Sequence, residues 1–335
     1  TIEVGNFSYD DIFSNDWFYD DIGKAMLLGY ISGYDNNTFK PNQNITRQEV
    51  SIILAKLLSF NNSPQSLSIN SIFNDFQSIA PWAVESVNFV TASGYMNGYP
   101  DSTFKPANYI TRAEAITVLS RLTGQVYNVP GTFSDITLKE KNAIVSTGDV
   151  TLENLIIEGN LYLAPGIGDG DVTLNNVKVK GTTYIQGGGI NSIHINGCSL
   201  DEVIILKFDN NIKLSLRNAT TIKSAFLLSG GIIDSTGNET GHVDRLITRT
   251  KSNVELNGFF MDVLVDMNSS SITTNKCSIS NLEVGSESKD SLIKTFPETT
   301  IEKMTIDSKV DVIGSGVIKL VYLNEHEKES TYERE

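Results

Sequence analysis

The stretch GYPDSTFKPANYITRAE, Gly98 to Glu114, also stands 65 residues earlier as GYDNNTFKPNQNITRQE, Gly33 to Glu49. Between Gly29 and Glu49, 12 of 21 positions are identical to their counterparts at plus 65 without a gap, and Trp17/Trp82 and Leu54/Leu119 carry the match outward. The first part of the chain is therefore a tandem module, each copy reading as helix, loop, helix. In the second helix of copy one, Val50, Ile53, Leu54, Leu57 and Leu58 recur at the spacing that buries one helical face, and Ala115, Val118, Leu119 and Leu122 repeat it in copy two. Thr46 with Glu49, and Thr111 with Glu114, form a T-x-x-E capping box in which hydroxyl and carboxylate satisfy the first backbone donors of the helix. Arg47 and Arg112 then occupy the first helical position, where a cation faces the positive end of the macrodipole at a cost of about 0.3 to 1 kcal/mol. Its occurrence in both copies predicts an anion that completes the arrangement, because an arginine fork beside free helix amides suits a carboxylate or phosphate. A salt bridge inside the module is the competing reading of both arginines, and sequence leaves it open.

Trp, then Gly-Tyr, then GYxxxxTFKP, then ITRxE resembles the S-layer homology module of bacterial surface proteins, and copy two keeps ITRAE intact. The resemblance implies helical modules that associate as a pseudo-threefold unit and bind anionic, commonly pyruvylated, secondary cell-wall polysaccharide between modules. It places the motif arginine that approaches the ligand on Arg47 and Arg112. The candidate glycan site comprises these two, their capping partners Thr46, Glu49, Thr111 and Glu114, the motif glycines Gly33 and Gly98, Asp101, and Trp17 and Trp82. For the tryptophans a buried anchor competes with sugar stacking and is the stronger expectation, since both precede an apolar helical face. Copy one departs at Gln48 and at Asp35-Asn36-Asn37, where copy two has Pro100-Asp101-Ser102, which predicts a weaker first site. The family usually carries three modules, and residues 1–16 are too short for another.

A net charge of -14 and a pI near 4.7 argue against nucleic acid or an anionic membrane as a partner. No apolar run approaches the roughly 18 residues of a membrane helix. The first residue is Thr1 rather than Met, as in a processed or trimmed chain, so the lack of a visible leader does not argue for the cytoplasm. Two cysteines make no disulfide framework.

The chain divides into a lead-in over 1–16, whose Phe7, Tyr9 and Phe13 are expected to pack on module one; module one over 17–60; a Ser/Asn-rich linker with Pro64 over 61–71; module two over 72–124; and a connector over 125–142. Beyond Ala143 helical spacing gives way to short alternating strands. VTLENLIIEG from Val150, VTLNNVKVKG from Val172, IHINGCSL from Ile193, LSLRNATTI from Leu214, VELNGFFMDVLV from Val254 and ITTNKCSISNLEV from Ile272 are variants of one phrase, at steps of 18 to 22 residues apart from a less clear phrase at Ile232. This pattern predicts a parallel β-helix of about eight rungs over 143–323, with a charged, frayed tail over 324–335; a β-sandwich is the second choice. Asn154, Asn176, Asn196, Asn218, Asn257 and Asn275 are expected at the turn after each first strand, where Asn tolerates left-handed backbone. Cys198 and Cys277 are expected to face the core in register with Leu155, Val177, Ala219 and Phe259. They would stand four rungs and about 19 Å apart, as free thiols. The segment resembles β-helical regions that accompany S-layer homology modules, most clearly across GIGDGDVTLNNVKVKG and GGGINSIHI.

Catalysis on the solenoid finds poor candidates. Asp201 and Glu202 are adjacent and would point opposite ways on a strand, Asp244, Arg245 and Arg249 sit in an irregular stretch, and His194, His242 and His326 share no motif. Asp169-Gly170-Asp171 could touch calcium but reads as a solvated turn, and Gly187-Gly188-Gly189 lacks the lysine and helix of a phosphate loop. The expectation is a secreted, non-enzymatic surface protein without cofactor or metal. Its helical modules bind wall polysaccharide, and its β-solenoid serves as spacer or assembly domain, with self-association into oligomers or polymers. A self-assembling layer or filament subunit and a wall-anchored polysaccharide lyase or hydrolase are the alternatives.

Overall fold

The computed structural model describes the chain except residues 1–8, 28, 59–72, 135–138, 141, 208, 210–211, 239, 324–329 and 334–335. It divides into two units, Thr1–Leu122 and Thr123–Glu335. Among the described residues the first holds four α-helices, α1 (Tyr19–Leu27), α2 (Arg47–Leu57), α3 (Val84–Ala92) and α4 (Arg112–Thr123). Both capping boxes form: Thr46 N donates to Glu49 Oε2 at 2.7 Å, and Thr111 N to Glu114 Oε2 at 2.8 Å. Leu54 of α2 joins Phe73, Val87, Val90, Met96, Phe104 and Val118 of module two in one core, so the second helix of module one completes the interior of module two. Phe7 and the 61–71 linker lie outside the described residues. Of the lead-in aromatics, Tyr9 accepts a hydrogen bond from Gly33 N at 2.8 Å, whereas Phe13 is exposed.

From Gln125 onward the strand pairings among the described residues are all parallel, which establishes the solenoid and excludes the sandwich. Strands begin at Gln125–Tyr127 and Gly131–Ser134, inside the segment expected to be a connector, and they pair with Ala143–Val145 and Val150–Glu153. The solenoid therefore starts earlier than the clear phrases do and makes about nine turns. It also extends further, because Thr331–Glu333 returns from the charged tail to pair with Asp311–Ile313. Three ladders run through it. In the first, Val150, Val172, Ile193 and Leu214 stack in register, as do Leu152, Leu174, Ile195 and Leu216, all at most 1% exposed. Each such side chain contributes about 1.5 to 3 kcal/mol relative to leaving it in water, and no rung can bury its apolar face without the next.

The turn asparagines fall into two columns rather than one. Asn154, Asn176 and Asn218 take positive φ of 55°, 51° and 56°, and Asn176 Nδ2 donates to Asn154 Oδ1 at 2.8 Å. Asn196 instead ends a strand opposite Asn175 and donates to its Oδ1 at 2.9 Å, leaving the left-handed position to Gly197. Gly258 and Lys276 likewise take that position in place of Asn257 and Asn275. Cys198 and Cys277 are buried and free, and Leu155 and Val177 are buried as expected. Ala219 and Phe259 are exposed, contrary to the expected register. Asn218 and Ala219 are both left-handed, which delays the inward position to Thr220, and Gly258 rather than Phe259 pairs with Cys277.

Candidate functional site

Arg47 is 3% exposed and bound on every side. Its Nε donates to Phe104 O at 2.8 Å, Nη2 to Asn97 O at 2.7 Å and Nη1 to Glu114 Oε1 at 2.9 Å, while the guanidinium carbon lies 4.7 and 4.8 Å from the Tyr99 and Phe104 ring centres. The anion that completes the helix start is thus the capping glutamate of the other module. The salt bridge runs between modules, not inside one, and leaves Arg47 no free donor face for a ligand. Tyr99 Oη also donates to Glu114 Oε1, at 2.5 Å. Although desolvation pushes the Glu114 carboxyl up, hydrogen bonds from Tyr99 and Thr111 and the Arg47 charge outweigh it and hold the pKa below its ordinary value. Arg112, at the same position of α4, is exposed.

Gly33 and Gly98 serve packing. A Cβ on Gly33 would stand 2.3 Å from the Tyr9 ring, and one on Gly98 would stand 2.2 Å from the Phe73 ring. Asp101 holds its own turn, accepting from Thr103 N at 3.1 Å and pairing with Lys105 Nζ at 3.2 Å. The tryptophans are not buried anchors: Trp17 is 89% and Trp82 58% exposed. Trp82 lines a cavity of about 640 Å³ in the module unit with Tyr34, Lys40, Glu49, Ile52 and Lys56. There Tyr34 Oη donates to Glu49 Oε1 at 2.9 Å and Lys40 Nζ sits 4.5 Å from the Tyr34 ring centre. Desolvation, then the bond to Glu49, raises the Tyr34 pKa.

Sequence reasoning missed Asp11 and Asp75. Asp11 accepts from Phe39 N and Lys40 N at 2.8 and 2.7 Å, and Asp75 from Phe104 N and Lys105 N at the same distances. Each carboxylate ties a lead segment to the TFKP loop of its module. The signal is YDDI at Tyr9 against FNDF at Phe73, an offset of 64 that a search at 65 passes over.

On the solenoid, Asp201 and Glu202 both lie half-buried between the inward Leu200 and Val203, two successive outward positions repeated by Lys223 and Ser224 in the next rung, against the expected alternation. Asp201 pairs with Lys223 at 2.8 Å, Glu202 accepts from Thr182 Oγ1 at 2.7 Å, His242 meets Asp244 at 3.0 Å and Arg249 meets Asp266 at 2.6 Å. Arg245, Asp262, Glu283 and Lys303 line a cavity of about 290 Å³. Burial pushes the Asp234 carboxyl up, but bonds from Thr236, Lys213 and Arg217 outweigh it and hold it well below the carboxylate range. Asp169 meets Lys207 Nζ at 2.6 Å, so a lysine supplies the cation in the turn considered for calcium. Among the described residues there is no group of three His, Cys, Asp or Glu suited to a metal, and no helix is long and apolar enough to cross a membrane.

The S-layer homology domain model matches residues 8–51 and 72–116. The chain is 39% identical over 96 residues to the cellulosome-anchoring protein of Acetivibrio thermocellus, covering 29% of this chain and 21% of that protein. It is 29% identical over 127 residues to the surface layer protein of Brevibacillus choshinensis, covering 38% and 11%. It is 33% identical over 118 residues to the exoglucanase XynX of Acetivibrio thermocellus, covering 35% and 11%. The chain thus spans at most about a fifth of the length of these relatives. No solved structure matches. The chain carries two S-layer homology domains followed by a parallel β-solenoid, the make-up of a secreted bacterial cell-surface protein.

Proposed function

We propose that the module unit anchors the chain to the bacterial cell wall by binding an anionic, pyruvylated secondary cell-wall polysaccharide, and that the solenoid is a non-catalytic spacer or assembly domain. The observation that carries the binding reading is the exposed Trp82 on one cavity with Lys56. An aromatic plate offers a sugar its apolar face, and an ammonium group on the same cavity suits the carboxylate of a ketal-linked pyruvate. Glu49 and Lys56 stand two turns apart on α2, about 10 Å, so Lys56 stands away from the Glu49 and Tyr34 end, where Lys40 lies over the Tyr34 ring. Arg47 is excluded as a ligand group by its burial, and Arg112 is kept out of this assignment because its counterpart Arg47 joins modules. The cellulosome-anchoring and surface layer relatives support attachment at the wall. A non-catalytic solenoid is supported by the commitment of Asp201 and Asp266 to ion pairs, of Asp244 to a contact with His242 and of Glu202 to a hydrogen bond. The exoglucanase relative matches over only 11% of its length, so its named activity does not carry over to this chain.

Co-sedimentation with native cell walls tests the assignment. Lys56→Ala should weaken binding by a charge-assisted contact, about 1.5 to 3 kcal/mol, and Trp82→Ala by about 1 kcal/mol, with the unit still folded. Wall binding unchanged in both variants sinks the Trp82 site.

A further inference from the structure

The receptor that holds Arg47 exists twice, and among the described residues only one copy is filled. In module two it consists of the Asn97 and Phe104 carbonyls, the Tyr99 ring and Glu114, while Asn108 O and Pro106 O accept the first two amides of α2, Arg47 N at 2.9 Å and Gln48 N at 3.1 Å. Subtracting 65 gives Ser32, Phe39, Tyr34, Glu49, Gln43 and Pro41, and all six line the cavity of about 640 Å³ in module one. The polar parts are preset alike: Tyr34 bonds Glu49 as Tyr99 bonds Glu114, and Lys40 covers one face of Tyr34 as Lys105, at 4.2 Å, covers Tyr99. The apolar parts are uncovered. Ala25, Ile31 and Phe39 are half-buried, whereas their counterparts Val90, Met96 and Phe104 are at most 2% exposed beneath α2.

The matching plug also exists twice. Arg47, Ser51 and Leu54 of α2 are at most 5% exposed, but Arg112 is exposed and Ile116 and Leu119 of α4 are 66% and 53% exposed. Of these three positions one differs, and it is matched in the receptors: Ser51 Oγ bonds Met96 Sδ at 3.4 Å in the filled contact, whereas Ile116 would meet Ile31, apolar on apolar. Glu49 has the nearby charge of Lys40, as Glu114 has Lys105 nearby, and Arg112 would add the guanidinium that Arg47 supplies to Glu114.

We propose that the start of α4 in one copy of the chain docks in the module-one receptor of a second copy, Arg112 entering between Tyr34, Phe39 and Glu49, so that copies join head to tail. Such a contact is heterologous and can propagate. It uses the Tyr34 and Glu49 end of the cavity and goes beyond wall binding, which the preceding reading gives to Trp82 and Lys56.

Sedimentation velocity on the full chain across about 1 to 100 μM, the range in which weak protein contacts form, tests it. The wild type should associate with rising concentration. Arg112→Ala and Tyr34→Ala should each be monomeric, and their equimolar mixture should form a dimer that grows no further, since only one good plug and one good receptor remain. Ile116→Asp, at an exposed position, should behave as Arg112→Ala and guards against a folding artefact. Arg112→Ala should still bind walls, whereas Trp82→Ala should still associate, which separates failure of this inference from failure of the wall reading. A wild type that stays monomeric across the range, or a mixture of the two variants that does not dimerise, overturns the proposal.

Discussion

Arg47 places three donor contacts, two of them to backbone carbonyls, where water cannot replace them. Arg47→Ala should therefore destabilise the module unit by about 3 kcal/mol, as loss of one partner from a buried charged network does, discounted for the partly exposed Glu114. Arg112→Ala should change the stability of the monomer by less than about 0.5 kcal/mol, since the side chain is exposed. Both tryptophans lie in Thr1–Leu122, so denaturant unfolding followed by their fluorescence reads this unit alone. Equal effects of the two substitutions would contradict the assignment. The need for an anion at this position was legible in the capped helix start. That the anion is Glu114, 67 residues on, was not, because the module motif is the same whether its arginine meets a sugar or a neighbouring copy of itself.

At the scale of elements, the corners of the solenoid decide its register. Gly258 has φ of 99°, and a Cβ there would stand 2.5 Å from the Ser235 carbonyl carbon. Gly258→Ala should cost about 2 to 4 kcal/mol of solenoid stability, from left-handed strain and overpacking together, measured by far-ultraviolet circular dichroism in denaturant. The strand phrases, their parallel stacking and the buried cysteines were all readable from the spacing of apolar residues. The corners were not, because one extra left-handed residue at Ala219 moves the inward position without disturbing the strands on either side. The thiols give a second check. Burial pushes Cys198 up to about 11 and Cys277 up to about 12. A thiol whose folded pKa is raised contributes stability that is full below its unfolded pKa, about 8.5, and is lost as pH rises through the folded one. Stability should hold to about pH 8.5 and fall progressively toward pH 11 to 12, less so in a Cys198→Ala, Cys277→Ala variant. At pH 8 a thiol reagent should label neither cysteine until the chain is unfolded, and rapid labelling of either one would contradict the register.

For the whole molecule, the repeat in the first unit and the stacked phrases in the second make the architecture legible in the sequence. The binding face is less so: Trp17 and Trp82 precede apolar helical faces and read as anchors, yet module two buries Phe73 and Phe104 instead and both indoles are exposed. Their exposure becomes understandable once the molecule is taken as a wall anchor that presents an aromatic and cationic surface while the solenoid contributes length. The measurement that tests this most directly is co-sedimentation of the full chain with purified bacterial cell walls before and after chemical removal of pyruvate ketals. The account predicts binding to the native walls that is lost, or weakened at least about tenfold, the equivalent of one charge-assisted contact, after removal. Equal binding to treated and untreated walls, or no binding to either, would contradict it.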